Sequence, residues 1–335
     1  MAKNKKKKRE GRKNTFETFK ERLELMVGSS LFREMEKTFV VRPTTFRVNT
    51  LKSTKQDVRV ALEQLGFKTK NVVWYPDAFI LQNKTKRELT ETTLYTEGKI
   101  YIQSLASMVP PLVVNAKPGE KILDLTAAPG SKTSQIAMMM ERKGELLAND
   151  SNKIRFFKLL HNMEQLGVKN DNDDEEENKK WKFTLRMEHG AKLCAEFPNY
   201  FDKILLDAPC SAEARFVEGD PKTTGYWSEK KVKEMAYKQR QLLFAAWNAV
   251  KPGGELIYST CTFSPEENEI QIARLIERYK DEVEVLDAKI EGLKTYAALK
   301  AWNEKDFVST IKKTVRIFPT SEIEGFFVTK LRKVV

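Results

Sequence analysis

The chain has 335 residues, of which 41% are hydrophobic and 32% charged, enough to bury a core in one large domain or two moderate ones. No apolar run approaches the length of a membrane span and the N-terminus lacks the apolar core of a signal peptide, so a soluble, cytoplasmic, monomeric protein without membrane contact is expected. Three cysteines, Cys194, Cys210 and Cys261, fit reduced thiols, and two histidines argue against a His-based metal site. The 59 Lys+Arg against 47 Asp+Glu leave a net charge of +12 that favours a polyanionic partner such as nucleic acid.

Residues 1–14, MAKNKKKKREGRKN, carry a block of like charge without apolar periodicity and read as a disordered basic arm, serving either solubility or RNA contact. Residues 15–110 form a smaller region and 111–335 a larger domain. From about residue 118 the pattern alternates. EKILDLTA is an apolar run ending in the small-residue turn AAPGSKT, and SKTSQIAMMMER follows with helical spacing. ELLAND ends a second strand on an acid, and SNKIRFFKLLHNMEQLG reads as a helix with Ser151 near its start and Gly167 at its end. The acidic, low-complexity stretch 170–180 reads as a surface loop that avoids phosphate.

WKFTLRME, FDKILLDAP and GGELIYSTC read as three more strands, with helices over 229–249 and 264–279. In the second of these helices, Ser264-Pro265-Glu266-Glu267 supplies a cap, a first-turn proline and the Glu of a capping box. Alternation of this kind builds a parallel sheet covered on both faces, whose ligands lie beyond the carboxyl ends of the strands.

That rule brings Asp124 with the AAPG turn, Asp150, Asp207 with Cys210, and Cys261 to one crevice. Ala127, Ala128 and Gly130 let the backbone approach a ligand closely, and an acid at the end of the next strand can accept both hydroxyls of a ribose. A nucleoside-containing cofactor is implied. The turn has neither G-x-G-x-x-G nor the GK[ST] P-loop, which leaves S-adenosylmethionine as the best fit.

Six segments in order carry a resemblance: FRVNTLK (46–52), YIQSLASMVPPLVV (101–114), DLTAAPGSKTSQIA (124–137), LLDAPCS (205–211), the run from YWSEKK to STCTFSPEENE (226–269), and GFFVTKLRK (325–333). In these the chain resembles the Nop/Sun family of RNA cytosine-C5 methyltransferases. The resemblance implies an α/β fold, a class I S-adenosylmethionine-dependent methyltransferase domain. Its Rossmann-like, mostly parallel seven-stranded sheet would follow a smaller N-terminal α/β RNA-binding region, with GFFVTKLRK as the final antiparallel strand. It also implies rRNA or tRNA as partner.

The chemistry of that family gives the two cysteines a purpose. Carbon 5 of cytosine is a poor nucleophile until a thiolate adds at C6, so a cysteine must attack first. An acid that hydrogen-bonds N3 and the exocyclic amine pulls electron density the same way, and Asp207 stands three residues before Cys210. The resemblance assigns attack to Cys261 of the STC motif and assisted release to Cys210 of the PCS motif. Chemistry alone leaves that choice open, because DNA cytosine methyltransferases attack with a PC cysteine.

By the same resemblance Thr126, Ala127, Ala128, Pro129, Gly130, Ser131 and Lys132 wrap the methionine and ribose of the cofactor, Asp150 binds the ribose hydroxyls, and Lys132 also approaches the target base. Pro209 shapes its loop and Arg155 the cofactor-side helix. Arg47, Asn49 and Lys52 match the RxNxLK signature, with a structural role weighed alongside RNA contact. The departures are Thr126 in place of a cysteine, and Ala212 and Ala214 in place of glycines, which stiffens the loop beside Cys210. Where an aspartate for the adenine amine is expected, either Glu188 or Gly190 stands; His189 reads as a loop residue. Two other readings are a methyltransferase with a non-RNA substrate and an RNA-binding assembly factor without catalysis.

Overall fold

The computed structural model describes residues 15–170 and 180–334. The expected basic arm and nearly all of the acidic loop lie outside them. Two helices come first, Thr15–Val27 and Ser29–Glu36. In the first, Phe16, Phe19, Leu23 and Met26 recur at spacings of three and four and are buried, the single apolar stripe of an amphipathic helix. The stripe packs into an aromatic cluster that also takes Phe39, Phe216, Trp227 and Phe263, with the ring of Phe19 edge-on to Phe216 at 4.8 Å. Because Phe216 and Phe263 follow Cys210 and Cys261 closely in sequence, these helices brace both cysteine loops from behind.

A small sheet follows, built from β1 (Thr45–Val48), β2 (Thr69–Asn71), β3 (Ala78–Leu81) and β4 (Ile100–Ile102) in the order β2-β3-β1-β4, every pair antiparallel. The helix Lys55–Gln64, capped by Thr54, covers it with Val58 and Leu62. RxNxLK ties this sheet to the rest of the chain. Arg47 is wholly buried and donates to Gln103 Oε1 (2.8 Å), Ser134 Oγ (2.6 Å) and Ser131 O (3.1 Å). Asn49 Nδ2 donates to Gly98 O and Leu166 O, and Lys52 Nζ to Glu97 O and Gln165 O, the last at 2.7 Å. Leu166 and Gln165 end the helix Lys153–Leu166, where free carbonyls favour a cation. The chain crosses there so closely that a Cβ on Gly98 (φ +70°) would sit 2.3 Å from Gln165 O. The signature is therefore a staple between two parts of the chain.

The main sheet is formed by β5 (Lys121–Asp124), β6 (Gly144–Asn149), β7 (Trp181–Arg186), β8 (Phe201–Asp207), β9 (Val250–Thr260), β10 (Val283–Leu286) and β11 (Thr295–Tyr296), with β14 (Val315–Ile317) and β15 (Phe326–Lys333); β12 (Ala301–Trp302) and β13 (Lys305–Asp306) make a separate hairpin. The order is β11-β14-β15-β9-β8-β5-β6-β7, with β10 also on β15. Strands β5 to β9 are mutually parallel, as the alternating pattern predicts. GFFVTKLRK is the antiparallel neighbour of β9, Phe327 facing Thr260 and Arg332 facing Glu255. The expected seven strands are nine. The eight-residue β15 offers more edge than one short strand can pair, so β14 takes residues 326–328 and β10 takes 330–333, and β11 adds beyond β14.

One face of the sheet is covered by the helices Leu105–Val114, Ser131–Met139 and Lys153–Leu166, the other by Gly190–Ala195, Glu229–Ala249 and Glu269–Tyr279. The third cysteine, Cys194, lies in the second of these cores, and burial pushes its thiol up to about 12, so it is packing and not chemistry. The last helix corrects the sequence reading. It starts at Glu269, after a turn over 265–268, and not at a Ser264 capping box. Ser264 and Glu267 are instead spent on buried contacts beneath the cysteines, which no surface cap would need.

Candidate active site

A crevice of about 1180 Å³ opens at the carboxyl ends of β5, β6, β8 and β9. Its lining holds Thr126, Ala127, Ala128, Pro129, Ser131, Lys132, Asp150, Arg155, Asp207, Cys210 and Cys261, all expected from the sequence, and adds Tyr101, Ser107, Asn149, Arg215, Tyr237 and Glu324, which were not. The volume exceeds what one drug-sized ligand fills, leaving room for a nucleoside cofactor and a second ring.

On the turn side, Asp150 is buried at the end of β6. Its Oδ2 accepts from Ala128 N (3.3 Å) and Arg155 Nη2 (3.2 Å), its Oδ1 from Asn152 N (3.0 Å), while Arg155 also donates to Ala128 O at 2.6 Å. Asn152, and not Ser151, caps the helix that follows. A carboxylate has about four acceptor positions, so these contacts fix the orientation of Asp150 and still leave capacity on the side facing the crevice. Asn149 bridges the turn to the next strand end, donating to Leu125 O and Glu188 O.

Across the crevice, Lys132 Nζ lies 2.6 Å from Asp207 Oδ2 and donates to Ser107 Oγ at 2.9 Å; Ser259 Oγ donates to Asp207 Oδ1 (2.8 Å), and Thr126 Oγ1 to Asp207 O (2.8 Å). Thr126, in place of a cysteine, thus links the two strand ends. Beside this pair the Sγ atoms of Cys210 and Cys261 are 3.4 Å apart. The hydrogen bond from Cys210, with help from Arg215 and Lys132 against the cost of burial, brings Cys261 down to about 7. The same hydrogen bond, and then burial, push Cys210 up. Electrostatics therefore separates the two thiols, favouring the thiolate at Cys261 and the S–H at Cys210.

Two expected residues stand apart from the crevice lining. At Gly130 (φ +104°) an added Cβ would meet Met163 Cε at 2.5 Å and Leu159 Cδ1 at 3.0 Å, so the glycine admits the helix Lys153–Leu166 and not a ligand. Glu188 turns to Lys192 Nζ (2.7 Å) and its own helix, and Lys192 first, then the His189 N–H, hold its carboxyl below the usual range. Of the two alternatives at this position, Gly190 lines the crevice, as does His189.

The family described as 16S rRNA methyltransferase RsmB/F matches residues 111–332, and the N-terminal domain of 16S rRNA methyltransferase RsmF matches residues 17–105. The chain belongs to the RsmB/F methyltransferase family. Among its relatives, a tRNA (cytosine(49)-C(5))-methyltransferase of Pyrococcus abyssi is 34% identical over 88% of this chain and 88% of its own length. The ribosomal RNA small subunit methyltransferase F of Shigella flexneri serotype 5b is 37% identical over 86% of this chain, which spans only 57% of that protein. A crystal structure of a methyltransferase homologue from Pyrococcus horikoshii superposes with a TM-score of 0.77 at 32% identity, over 97% of this chain and 96% of its own. The Nop/Sun resemblance and the methyltransferase fold read from the sequence are the family and fold found.

In this RsmB/F chain the cysteine loops are held by two buried acids that sequence reasoning missed. Glu213 accepts from Thr262 Oγ1 (2.6 Å), Phe263 N (3.0 Å), Ser264 N (2.9 Å), Ser264 Oγ (2.6 Å) and Trp227 Nε1 (2.8 Å), so one carboxylate from the Cys210 loop gathers the donors of the Cys261 loop. Glu267 returns the contact: Ser211 N donates to its Oε2 (3.0 Å), Gln239 Nε2 likewise (2.7 Å), and Ser211 Oγ lies 2.5 Å from Oε1. Burial, and then Glu213, push Glu267 up to about 8, which favours its protonated form. The signal was present in TCTFS, a run of hydroxyls and amides with no acid of its own to accept from it. Ala212 sits at φ +57°, a left-handed conformation that the family's glycine adopts freely and alanine only under strain.

Among the described residues, no group of three His, Cys, Asp or Glu is arranged to hold a metal, and no helix is long and apolar enough to cross a membrane.

Proposed function

We propose that this chain transfers a methyl group from S-adenosylmethionine to carbon 5 of a cytosine in tRNA or rRNA through a covalent adduct between Cys261 and C6. The observation that carries the reading is the 3.4 Å pair of thiols, one lowered and one raised, beside the Asp207–Lys132 ion pair in a crevice large enough for two ligands. The small-residue turn at Ala127 and Ala128 with Asp150 at the next strand end fits the nucleoside of the cofactor, which, when bound, supplies the methyl group.

Each side chain then has a task. Cys261 thiolate adds to C6, and the electron pair of the C5=C6 bond becomes available at C5. Paired with Lys132, Asp207 takes a hydrogen bond from the exocyclic amine while Lys132 donates to N3. This divides the role first given to Asp207 alone. Once C5 carries the methyl group, its proton passes to water, the C5=C6 bond reforms and the C6–S bond breaks. The Cys210 S–H supports the departing thiolate.

The test separates the thiols. Cys261→Ala should bind RNA and cofactor yet form no adduct and transfer no methyl group. Cys210→Ala should attack more slowly, methylate, and then stall as a protein–RNA band that survives denaturing electrophoresis. A stalled band with Cys261→Ala and none with Cys210→Ala would reverse the assignment. Bisulfite sequencing of total RNA from a deletion strain against its parent identifies the cytosine, and no lost site in either tRNA or rRNA would refute the activity.

A further inference from the structure

Outside the crevice, a second hollow of about 240 Å³ lies between the helices Glu229–Ala249 and Glu269–Tyr279, lined by Lys233, Tyr237, Arg240, Glu266, Ile270 and Arg274 among others. Tyr237 lines both cavities, so the hollow is the crevice's next-door neighbour. Its charge is unbalanced. On the same helix, Lys231 and Lys238 share Glu234 at 3.3 and 2.8 Å, the ordinary arrangement of a solvated face. Among the described residues, Lys233, Arg240 and Arg274 have no carboxylate within 4 Å. The one acid in the lining is already occupied, Glu266 being paired with Arg22 at 2.6 Å and accepting from Trp302 Nε1 at 2.8 Å. Burial, and then the neighbouring Arg240, hold Arg274 below its ordinary value, with Glu277 acting the other way. Tyr237 is 56% exposed, with the Arg240 guanidinium 5.6 Å from its ring.

Crowded cations without counter-ions lower their energy by taking an anion. An exposed aromatic ring beside them offers a stacking face for a base. We infer that this hollow is a nucleotide subsite: Lys233, Arg240 and Arg274 take a backbone phosphate of the RNA, and Tyr237, the shared wall, stacks the base adjoining the target cytosine. The inference rests on the RNA-methylating reading above and adds where the strand runs on leaving the crevice, over the helix Glu229–Ala249.

The probe is a fluorescein-labelled, mixed-sequence, single-stranded RNA of about 20 nucleotides, with anisotropy read from low to moderate salt. Each phosphate contact contributes about 0.7 to the slope of log affinity against log salt on a single strand. Arg240→Gln/Arg274→Gln should therefore weaken binding about tenfold or more and flatten the slope by about 0.7, with cofactor affinity by calorimetry and the melting temperature unchanged. The charge-preserving Arg240→Lys/Arg274→Lys should keep the wild-type slope, which a folding defect would not. Tyr237→Ala should weaken binding where Tyr237→Phe does not. Should wild type bind the RNA while the Gln pair keeps its affinity and slope, the subsite is refuted and the methyltransferase reading stands; an acidic protein partner would then be the occupant to pursue. Wild type that neither binds nor methylates RNA sinks both.

Discussion

Three neighbours from two other strand ends favour the thiolate of Cys261. Cys210 gives the hydrogen bond, Arg215 faces it from the loop after β8, and Lys132 from the turn after β5. Each favours the thiolate, and burial opposes them. Alkylation by iodoacetamide, followed by peptide mass spectrometry across a pH series, reads the outcome residue by residue. The Cys261 rate should rise with a midpoint near 7, while Cys194, raised to about 12 in an apolar core, stays unmodified in the folded protein. Arg215→Gln removes a cation and should move the Cys261 midpoint upward; Cys210→Ala removes the hydrogen bond and should move it further, since that bond is the largest contribution. An unchanged midpoint in both variants would mean that the strand end alone activates the thiol.

The elements that hold the cysteine loops come from both ends of the chain. Phe19 of the first helix is fully buried between Phe216, Trp227 and Phe263, and Arg316 of β14 donates to both oxygens of Glu269 and to Phe263 O at 2.9 Å. Phe19→Ala should cost about 3–5 kcal/mol, the range for emptying a phenylalanine site in a core. Its effect should be local, with faster hydrogen exchange at the Phe216 and Phe263 amides, both bonded to Glu213, and unchanged exchange along β5 and β8. Exchange that rises equally across the main sheet would refute the bracing role. The parallel strands were legible in the sequence because each is a short apolar run closed by a turn, and a run of that kind has few alternatives. The crevice was legible with them, since Asp150, Asp207 and Cys261 each mark where a strand must end. Glu213, Glu267 and Arg316 were not, because what defines a buried acid is the set of donors around it, and those arrive from segments about 50 residues away. Glu267 was misread for the same reason: Ser-Pro-Glu-Glu satisfies a helix start locally, and only the long-range demand of Ser211 and Gln239 overrides it.

At the scale of the whole molecule, each side of the crevice rests on a buried acid that titrates. Asp124 is fully buried, with Thr133 donating to one oxygen at 2.7 Å and the other oxygen unpartnered, and burial pushes it up to about 7. Glu267 stands at about 8. In the unfolded chain both ionise in the ordinary carboxyl range, so between there and about 8 the native state binds more protons than the unfolded one. Stability then falls as pH rises through that window, and the loss is complete above the folded value. Glu267→Gln isolates one contribution. The amide keeps the shape and can donate toward Ser211, as the protonated acid does, but cannot ionise. Urea unfolding followed from pH 5 to 8.5 should show the wild-type midpoint declining more steeply than that of Glu267→Gln, with the two curves closest at the acid end and the variant gaining with each step upward. Asp124 titrates in both proteins and cancels in the difference. Parallel curves would mean that Glu267 is ionised in the folded state at neutral pH, and that the loops of Cys210 and Cys261 are clamped by two carboxylates rather than by one carboxylate and one acid.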